Sequence, residues 1–296
     1  MSLSISITGK YSGYGKNRQR LIVDLLFLWH ILPLMKLYDS VKEIISKVHE
    51  KSEKPVELIP VSSMATMAEV KIARRHNSSH RIFYNAESPE EINHLIGCKC
   101  VQIIRTFETP EDKRLMGVSF QDNINNAKMQ IEAESGVKPE LREVLNNNEM
   151  VSSWILGVIN QVISQPADLV VEKIIFEEYP DLRRLQKNVL ENQFNDYITT
   201  LHPKVRDLSP SVVFDASAIM NYVYLRVLDD YLGTDFTART EHVYKKKRSE
   251  ALYDFTKANT GGNTEQDRLV IDHWAEKLKV RSWYEWADFE DVPEDY

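Results

Sequence analysis

Apolar residues recur at helical spacing through most of the chain, and strand-like patterns are confined to one short region. Residues 38–53, YDSVKEIISKVHEKSE, have the spacing of an amphipathic helix, which Pro55 ends. VELIPV (56–61), AEVKIARR (68–75) and HRIFYNA (80–86) have the composition or alternation of strands. Because HNSS forms a turn between the last two, the pattern predicts a small antiparallel sheet in this region.

The stretch EEINHLIGCKCVQIIRTFETPED contains both cysteines of the chain and follows the predicted sheet directly. It is predicted to form a helix over residues 88–107. Ser88 is a favourable N-cap, Pro89 suits the first helical position, and acidic residues follow in the first turn. Pro110 is expected to break the helix.

From residue 121 onward the pattern predicts helices almost throughout. The predicted helices share apolar residues at helical spacing and are QDNINNAKMQIEAESG, PELREVLNNNEMVSSWILGVINQVIS, PADLVVEKIIFEEY, DLRRLQKNVLENQFNDYITT, VVFDASAIMNYVYLRVLDDYLG, residues 238–258 and QDRLVIDHWAEKLK. Pro166 is predicted to start the third of these and Pro180 to close it. The acidic, aromatic end, SWYEWADFEDVPEDY, is predicted to be a solvated tail or a segment that docks on its own protein or a partner. The predicted fold class is α+β, predominantly helical, with a small antiparallel sheet followed by a helical second half.

The loop LHPKVRDLSP (201–210) is the best candidate for an internal boundary. The apolar segment 21–35, LIVDLLFLWHILPLM, follows basic residues as a signal peptide does, but polar residues and a proline interrupt it. It is also shorter than the ~20 residues that span a bilayer. We expect a buried helix or docking segment there, with a targeting or membrane-associated segment as the alternative. The predicted division is therefore an N-terminal arm and apolar segment (1–36), a first domain (37–205) and a helical C-terminal region with the acidic tail (206–296).

Composition narrows the classes of function. The 296 residues are 43% hydrophobic and 27% charged, which is typical of a globular protein with a sizeable core. A net charge of −7 argues against a nucleic-acid partner. Two cysteines exclude a disulfide framework and favour a reducing compartment, so we expect a cytoplasmic protein without membrane contact. The expected partner is a protein or peptide.

The two cysteines are predicted to face different surroundings. On a helical wheel Cys98 and Cys100 lie about 200° apart, so they can neither chelate one ion nor form a disulfide within an intact helix. Cys100 falls on the predicted core stripe of the helix, with Ile92, Ile96, Ile103 and Phe107. Cys98 and Gln102 lie one turn apart and point the same way, with Lys99 beside them. Cys98 is expected to be an inert buried thiol, with a reactive nucleophile as the alternative.

The block CKCVQ, preceded by HRIFYNAESPEEINHLIG, resembles the active-site region of zincin-type metallopeptidases. In their motif HExxH two histidines one turn apart bind zinc, and the glutamate activates a water molecule. The corresponding positions here are Cys98, Lys99 and Gln102. The resemblance covers residues 38–190 and implies that a later helix supplies a third ligand. Glu172 fits that place, with Asp168 one turn earlier on the same face.

The residues that replace the zinc ligands and the glutamate of HExxH favour one of two hypotheses on function. Lysine cannot act as the carboxylate base and repels a cation, and glutamine is a poor zinc ligand. The favoured hypothesis is a non-catalytic zincin-like protein with a binding or regulatory role, no cofactor, and Lys99 paired with Glu172 or Asp168. The alternative is a zinc-dependent metallohydrolase or peptidase with an unusual site. Its candidate metal ligands are Cys98, Glu172, Asp168 and His94, although His94 is predicted to be an exposed histidine on the polar side of its helix.

Overall fold

The computed structural model describes residues 36–62, 64, 66–86, 91–135, 141–240 and 246–293. The helices of this part are α1 (Asp39–Ser52), α2 (Ile92–Glu108), α3 (Gln121–Ser135), α4 (Leu141–Leu145), α5 (Asn148–Glu178), α6 (Arg183–Thr200), α7 (Pro203–Asp207), α8 (Ser211–Leu232), α9 (Lys246–Asn259) and α10 (Thr264–Leu278). The strands are β1 (Val56–Val61), β2 (Ala68–Lys71), β3 (His80–Asn85), β4 (Leu115–Val118) and β5 (Glu285–Asp288). Short 3-10 turns lie at Glu111–Lys113, Pro180–Leu182, Thr237–Arg239 and Arg281–Trp283. The predominantly helical α+β class is confirmed, and the apolar segment 21–35 lies outside the described residues.

The first sheet is mixed, so the prediction of an antiparallel sheet was wrong in part. Its order is β1-β3-β2, with β1 parallel to β3 and β2 antiparallel to β3. Residues 72–79 connect β2 to β3 directly, and this pair is antiparallel as the pattern indicated. After β1 the chain passes to the far edge of the sheet, forms β2 there, and returns to form β3 between β2 and β1. This crossover makes β1 and β3 parallel neighbours.

Helix α2 lies at the centre of the first hydrophobic core. Four of the five residues of its predicted core stripe, Ile92, Ile96, Cys100 and Ile103, are fully buried, and the fifth, Phe107, is half-buried. They pack with side chains from α1, the first sheet and α5, which include Val41, Ile44, Val48, Ile82 and Ile175. The predicted cap Ser88 and the following Pro89 lie outside the described residues. Burial of this stripe fixes which face of α2 turns toward α5.

Helix α5 contradicts the prediction that Pro166 starts a helix. Pro166 lies inside a 31-residue helix that begins after Asn147, whose side chain accepts hydrogen bonds from the backbone N–H groups of Glu149 and Met150. Pro166 removes one backbone hydrogen bond, which a long helix packed on both sides can tolerate. The same Asn147 cap separates α5 from α4, which the pattern had joined into one helix. The predicted end near Pro180 is confirmed.

Helix α5 joins the two hydrophobic cores. Val171 and Ile175 near its C-terminus belong to the first core. Val162 and Leu169 belong to the second core, which α5 shares with α3, α6 and α8–α10. By length and composition α5 could cross a membrane, but 56% of its most apolar window is buried inside the protein. That burial is expected of a central core helix.

The second half is not entirely helical, because β5 pairs antiparallel with β4. Trp283 and Tyr284, which precede β5, are buried in the second core. The alternative of a docked segment is therefore confirmed as far as residue 293. Neither strand was predicted, because four residues are too few to display a clear alternation of polar and apolar positions.

Candidate metal centre and adjoining cavity

Three potential metal ligands of different chemistry meet in the interior between α2 and α5. The Sγ atom of Cys98 lies 3.5 Å from Nε2 of His94 and 3.8 Å from Oε1 of Glu172. Nε2 of His94 lies 3.3 Å from Oε2 of Glu172. The relative exposures of His94, Cys98 and Glu172 are 0%, 7% and 6%. We call these three residues the ligand cluster.

Helix geometry explains how α2 supplies two members of the ligand cluster. His94 and Cys98 lie one turn apart and therefore on the same face of the helix. The prediction that His94 is exposed was wrong. A single-helix wheel treats a face with polar residues as solvent-facing, whereas here α5 covers that face and presents Glu172 to it.

The distances within the ligand cluster match those around a tetrahedral zinc ion. Bonds of about 2.0–2.3 Å in tetrahedral geometry place neighbouring ligand atoms about 3.3–3.7 Å apart. The distance between Sγ of Cys98 and Nε2 of His94, 3.5 Å, lies in this range, and each of these two atoms lies 3.8 or 3.3 Å from a different oxygen of Glu172. The one distance between nitrogen and oxygen, 3.3 Å from Nε2 of His94 to Oε2 of Glu172, is longer than the usual 2.7–3.2 Å of an N–H···O hydrogen bond.

Gln186 on α6 orients Glu172. Its Nε2 donates to Oε2 of Glu172 over 2.7 Å and to the backbone carbonyl of the same residue over 2.8 Å. Gln186 is itself buried, so its side chain holds one geometry. A partner of this kind is typical of ligating carboxylates, which are usually fixed by a second hydrogen bond.

Charge within the ligand cluster follows from burial and from the neighbouring groups. Burial raises the pKa of Glu172, but His94 and the hydrogen bond from Gln186 outweigh it, so the pKa of the carboxyl lies below its usual value. Burial and the Glu172 carboxylate raise the pKa of the Cys98 thiol well above its usual value, against the opposing charge of Lys99. Cys98 is therefore a protonated thiol beside an ionised carboxylate. Its high pKa removes the basis for a reactive thiolate.

Of the three positions of the degenerate motif, only Cys98 belongs to the ligand cluster, whereas Gln102 meets Asp168. Nε2 of Gln102 donates to Oδ1 of Asp168 over 2.6 Å, one turn away from the ligand cluster on both helices. Lys99 is half-buried, and in the described part of the chain it forms no ion pair within 4 Å of Asp168 or Glu172. Burial raises the pKa of Asp168, and the charge of Lys99 only partly opposes that rise.

A cavity of about 420 Å³ adjoins the ligand cluster. Cys98 and Glu172 form part of its wall, and α2, α5, α6 and α8 contribute most of the rest. Helix α5 lines it with one polar stripe, Gln161, Gln165, Asp168 and Glu172. These four polar residues recur at helical spacing in an otherwise apolar helix, a pattern that the sequence already displays. Asp168 and Glu172 were predicted from the sequence to be site residues, whereas Gln161 and Gln165 were not.

Comparisons with family models, with curated proteins and with solved structures give no match to this chain. The resemblance to zincins therefore stays a prediction, and the arguments on function below start from the geometry of the ligand cluster and the cavity.

Proposed function

We propose that the protein binds a zinc ion through Nε2 of His94, Sγ of Cys98 and a carboxylate oxygen of Glu172. The observation that carries this proposal is the convergence of three buried ligand atoms, all within 4.8 Å of one another. Sulfur, imidazole nitrogen and carboxylate oxygen are the three ligand types that zinc takes in proteins. The hydrogen bond from Gln186 helps to keep the Glu172 carboxyl in the ionised form that binds a cation.

The ligand set favours a catalytic site over a structural one. Structural zinc sites use four protein ligands, whereas catalytic sites use three and leave the fourth position to water or substrate. Here Cys98 and Glu172 also line the cavity, so a fourth position can open toward it. A zinc ion there would act as a Lewis acid and lower the pKa of a bound water, which is the chemistry of a metallohydrolase. Asp168, one turn before Glu172 and also in the cavity wall, is the carboxylate placed to accept a proton.

One observation favours a second candidate, a zinc-binding protein without hydrolytic activity. The residue that follows His94 is Leu95, where zincins carry the glutamate that activates water. Lys99 also lines the cavity with a positive charge. This candidate retains the binding or regulatory role expected from the sequence and adds a metal to it.

Zinc content tests the proposal. Purified protein, dialysed against zinc and then against buffer, should retain about one zinc per chain by elemental analysis. Cys98→Ala and Glu172→Gln should each lose most of it. Cys100→Ala is the matched control, because it removes a buried thiol from the same helix without touching the ligand cluster. Retention of zinc by Cys98→Ala, or no zinc in the unmodified protein, would exclude the proposed site.

Hydrolysis separates the two candidates. The zinc-loaded protein is incubated with a mixture of short peptides, and cleavage is followed by mass spectrometry. Cleavage that disappears with a chelator, and that falls about 100-fold or more in Asp168→Asn, would favour the metallohydrolase. Stoichiometric zinc without zinc-dependent cleavage would favour the binding protein.

A further inference from the structure

Two glutamines in the cavity wall have acceptor atoms without partners. Nε2 of Gln161 and Nε2 of Gln165 both donate to Oδ1 of Asn221, over 3.2 and 2.8 Å. The two side-chain amides therefore converge on one point between α5 and α8. Within the described part of the chain, Oε1 of each glutamine has no hydrogen-bond partner. Gln161 and Gln165 are 4% and 7% exposed, so bulk water does not readily solvate these oxygens.

A third unpartnered group lies on α6. The hydroxyl of Tyr197 has no partner among the described residues, and the residue is 3% exposed. Tyr197 lines the same cavity as the two glutamines. Leaving a buried polar atom unpaired costs about 1–3 kcal/mol, so three such atoms around one cavity indicate that a ligand pairs with them.

The charge of the cavity wall indicates the sign of that ligand. Three carboxylate residues outside the ligand cluster line it, namely Glu91, Asp168 and Asp196. Lys99 is the one cationic side chain among the described lining residues. An anion would meet a predominantly negative wall, whereas a cation would be attracted to it.

We propose that this cavity binds a small organic cation that carries several N–H donors, such as a primary ammonium group. The amide groups of Gln161 and Gln165 turn so that their Oε1 atoms, which the wall encloses, face the cavity and accept its N–H bonds. Asp168 supplies the balancing charge. A volume of about 420 Å³ suits a small molecule and falls in the usual range for ligand pockets. This site does not depend on zinc, since none of these acceptors belongs to the ligand cluster.

The test uses 1,4-diaminobutane as the cationic probe, with 1,4-butanediol as the neutral analogue of similar length and succinate as the anionic one. Binding is measured by isothermal titration calorimetry on the full chain in the presence of a chelator. The diamine should bind at least tenfold more tightly than either analogue. The same result is expected in Cys98→Ala, so loss of zinc and loss of the amine site can be told apart.

Two variants at one position identify the acceptor. Gln165→Leu removes the acceptor and should weaken diamine binding at least tenfold. Gln165→Glu keeps an acceptor and adds negative charge, so it should bind at least as tightly as the unmodified protein. Asn195→Leu, an exposed amide on α6, is the control. Equal binding of diamine and butanediol, tighter binding of succinate, or unchanged affinity in Gln165→Leu would each overturn the proposal.

Discussion

Nε2 of His94 lies 3.3 Å from Oε2 of Glu172 in the interior between α2 and α5. Cys98 lies one turn after His94, so the two candidate ligands on α2 are His94 and Cys98. The sequence pattern had aligned the zincin motif one turn later, on Cys98 and Gln102. Read one turn earlier, the block is HLIGC, in which only the second and fifth positions depart from HExxH.

Zinc affinity should fall steeply with acidification. The pKa of Cys98 lies well above its usual value, so the thiol is protonated across the neutral range and must lose its proton to bind zinc. Each proton released makes the affinity change about tenfold per pH unit. We expect zinc to bind about 100-fold more weakly at pH 6 than at pH 8, measured by competition with a chromogenic chelator. An affinity that is independent of pH would mean that the thiol is not a ligand.

The sequence predicted most of the elements and part of the candidate site, for physical reasons that differ between residues. Ile96, Cys100 and Ile103 were recognised as core because apolar residues at helical spacing report burial directly. His94 was among the candidate ligands but its burial was missed, because burial of a polar residue depends on a partner from another helix. The parallel pairing of β1 with β3 was missed for a similar reason, since strand direction is set by a crossover rather than by the strands themselves.

Restoring the zincin motif one turn earlier should create a stronger metal site. Leu95→Glu with Cys98→His turns HLIGC into HEIGH, with Glu172 in place as the third ligand. Leu95 is half-buried at the cavity wall, so a carboxylate there has access to solvent. At one fixed zinc concentration the variant should therefore gain more stability than the unmodified protein, measured as a rise in melting temperature. The gain is about 2.7 kcal/mol where zinc is 100 times the dissociation constant of the variant.

The matched control for the restored motif places the same changes one turn later. Lys99→Glu with Gln102→His, on an otherwise unmodified chain, should gain less zinc-dependent stability, because Gln102 faces Asp168 and not Glu172. A larger gain in this control than in the Leu95→Glu, Cys98→His variant would contradict the one-turn shift.

His80 should make the fold sensitive to mild acid. Its Nδ1 accepts the backbone N–H of Ala73 over 3.0 Å, so Nε2 carries the proton and donates to Oγ of Ser52 over 2.9 Å. Burial, and then the charge of Lys54, lower the pKa of His80 from 6.5 to about 4. Between these values the unfolded chain holds more protons than the folded one, so stability falls as the pH drops from about 6.5 to 4. The loss can reach about 3 kcal/mol over the full window.

A substitution at His80 separates this effect from general acid denaturation. His80→Asn keeps an acceptor for the Ala73 N–H but does not titrate, so its stability should change less between pH 6.5 and 4. Urea unfolding in the presence of a chelator at several pH values measures this slope without a contribution from zinc. His76→Asn removes an exposed histidine and should leave the slope unchanged. The same slope in His80→Asn as in the unmodified protein would contradict the assignment.

Arg105 and Asp267 form a buried ion pair between α2 and α10. Replacing one of the two residues should destabilise the protein far more than replacing both. The guanidinium meets both carboxylate oxygens, over 2.8 and 3.1 Å, and the two side chains are 9% and 7% exposed. Either single change, Arg105→Met or Asp267→Leu, leaves a buried charge without its partner and should cost about 3–5 kcal/mol. The double variant removes both charges, so its cost should be well below the sum of the two.

Asp39→Ala, which removes an exposed partner of Lys42, should have no measurable effect on the free energy of unfolding in urea. Additive costs in the double variant would show that the two side chains contribute through packing and not through their charges.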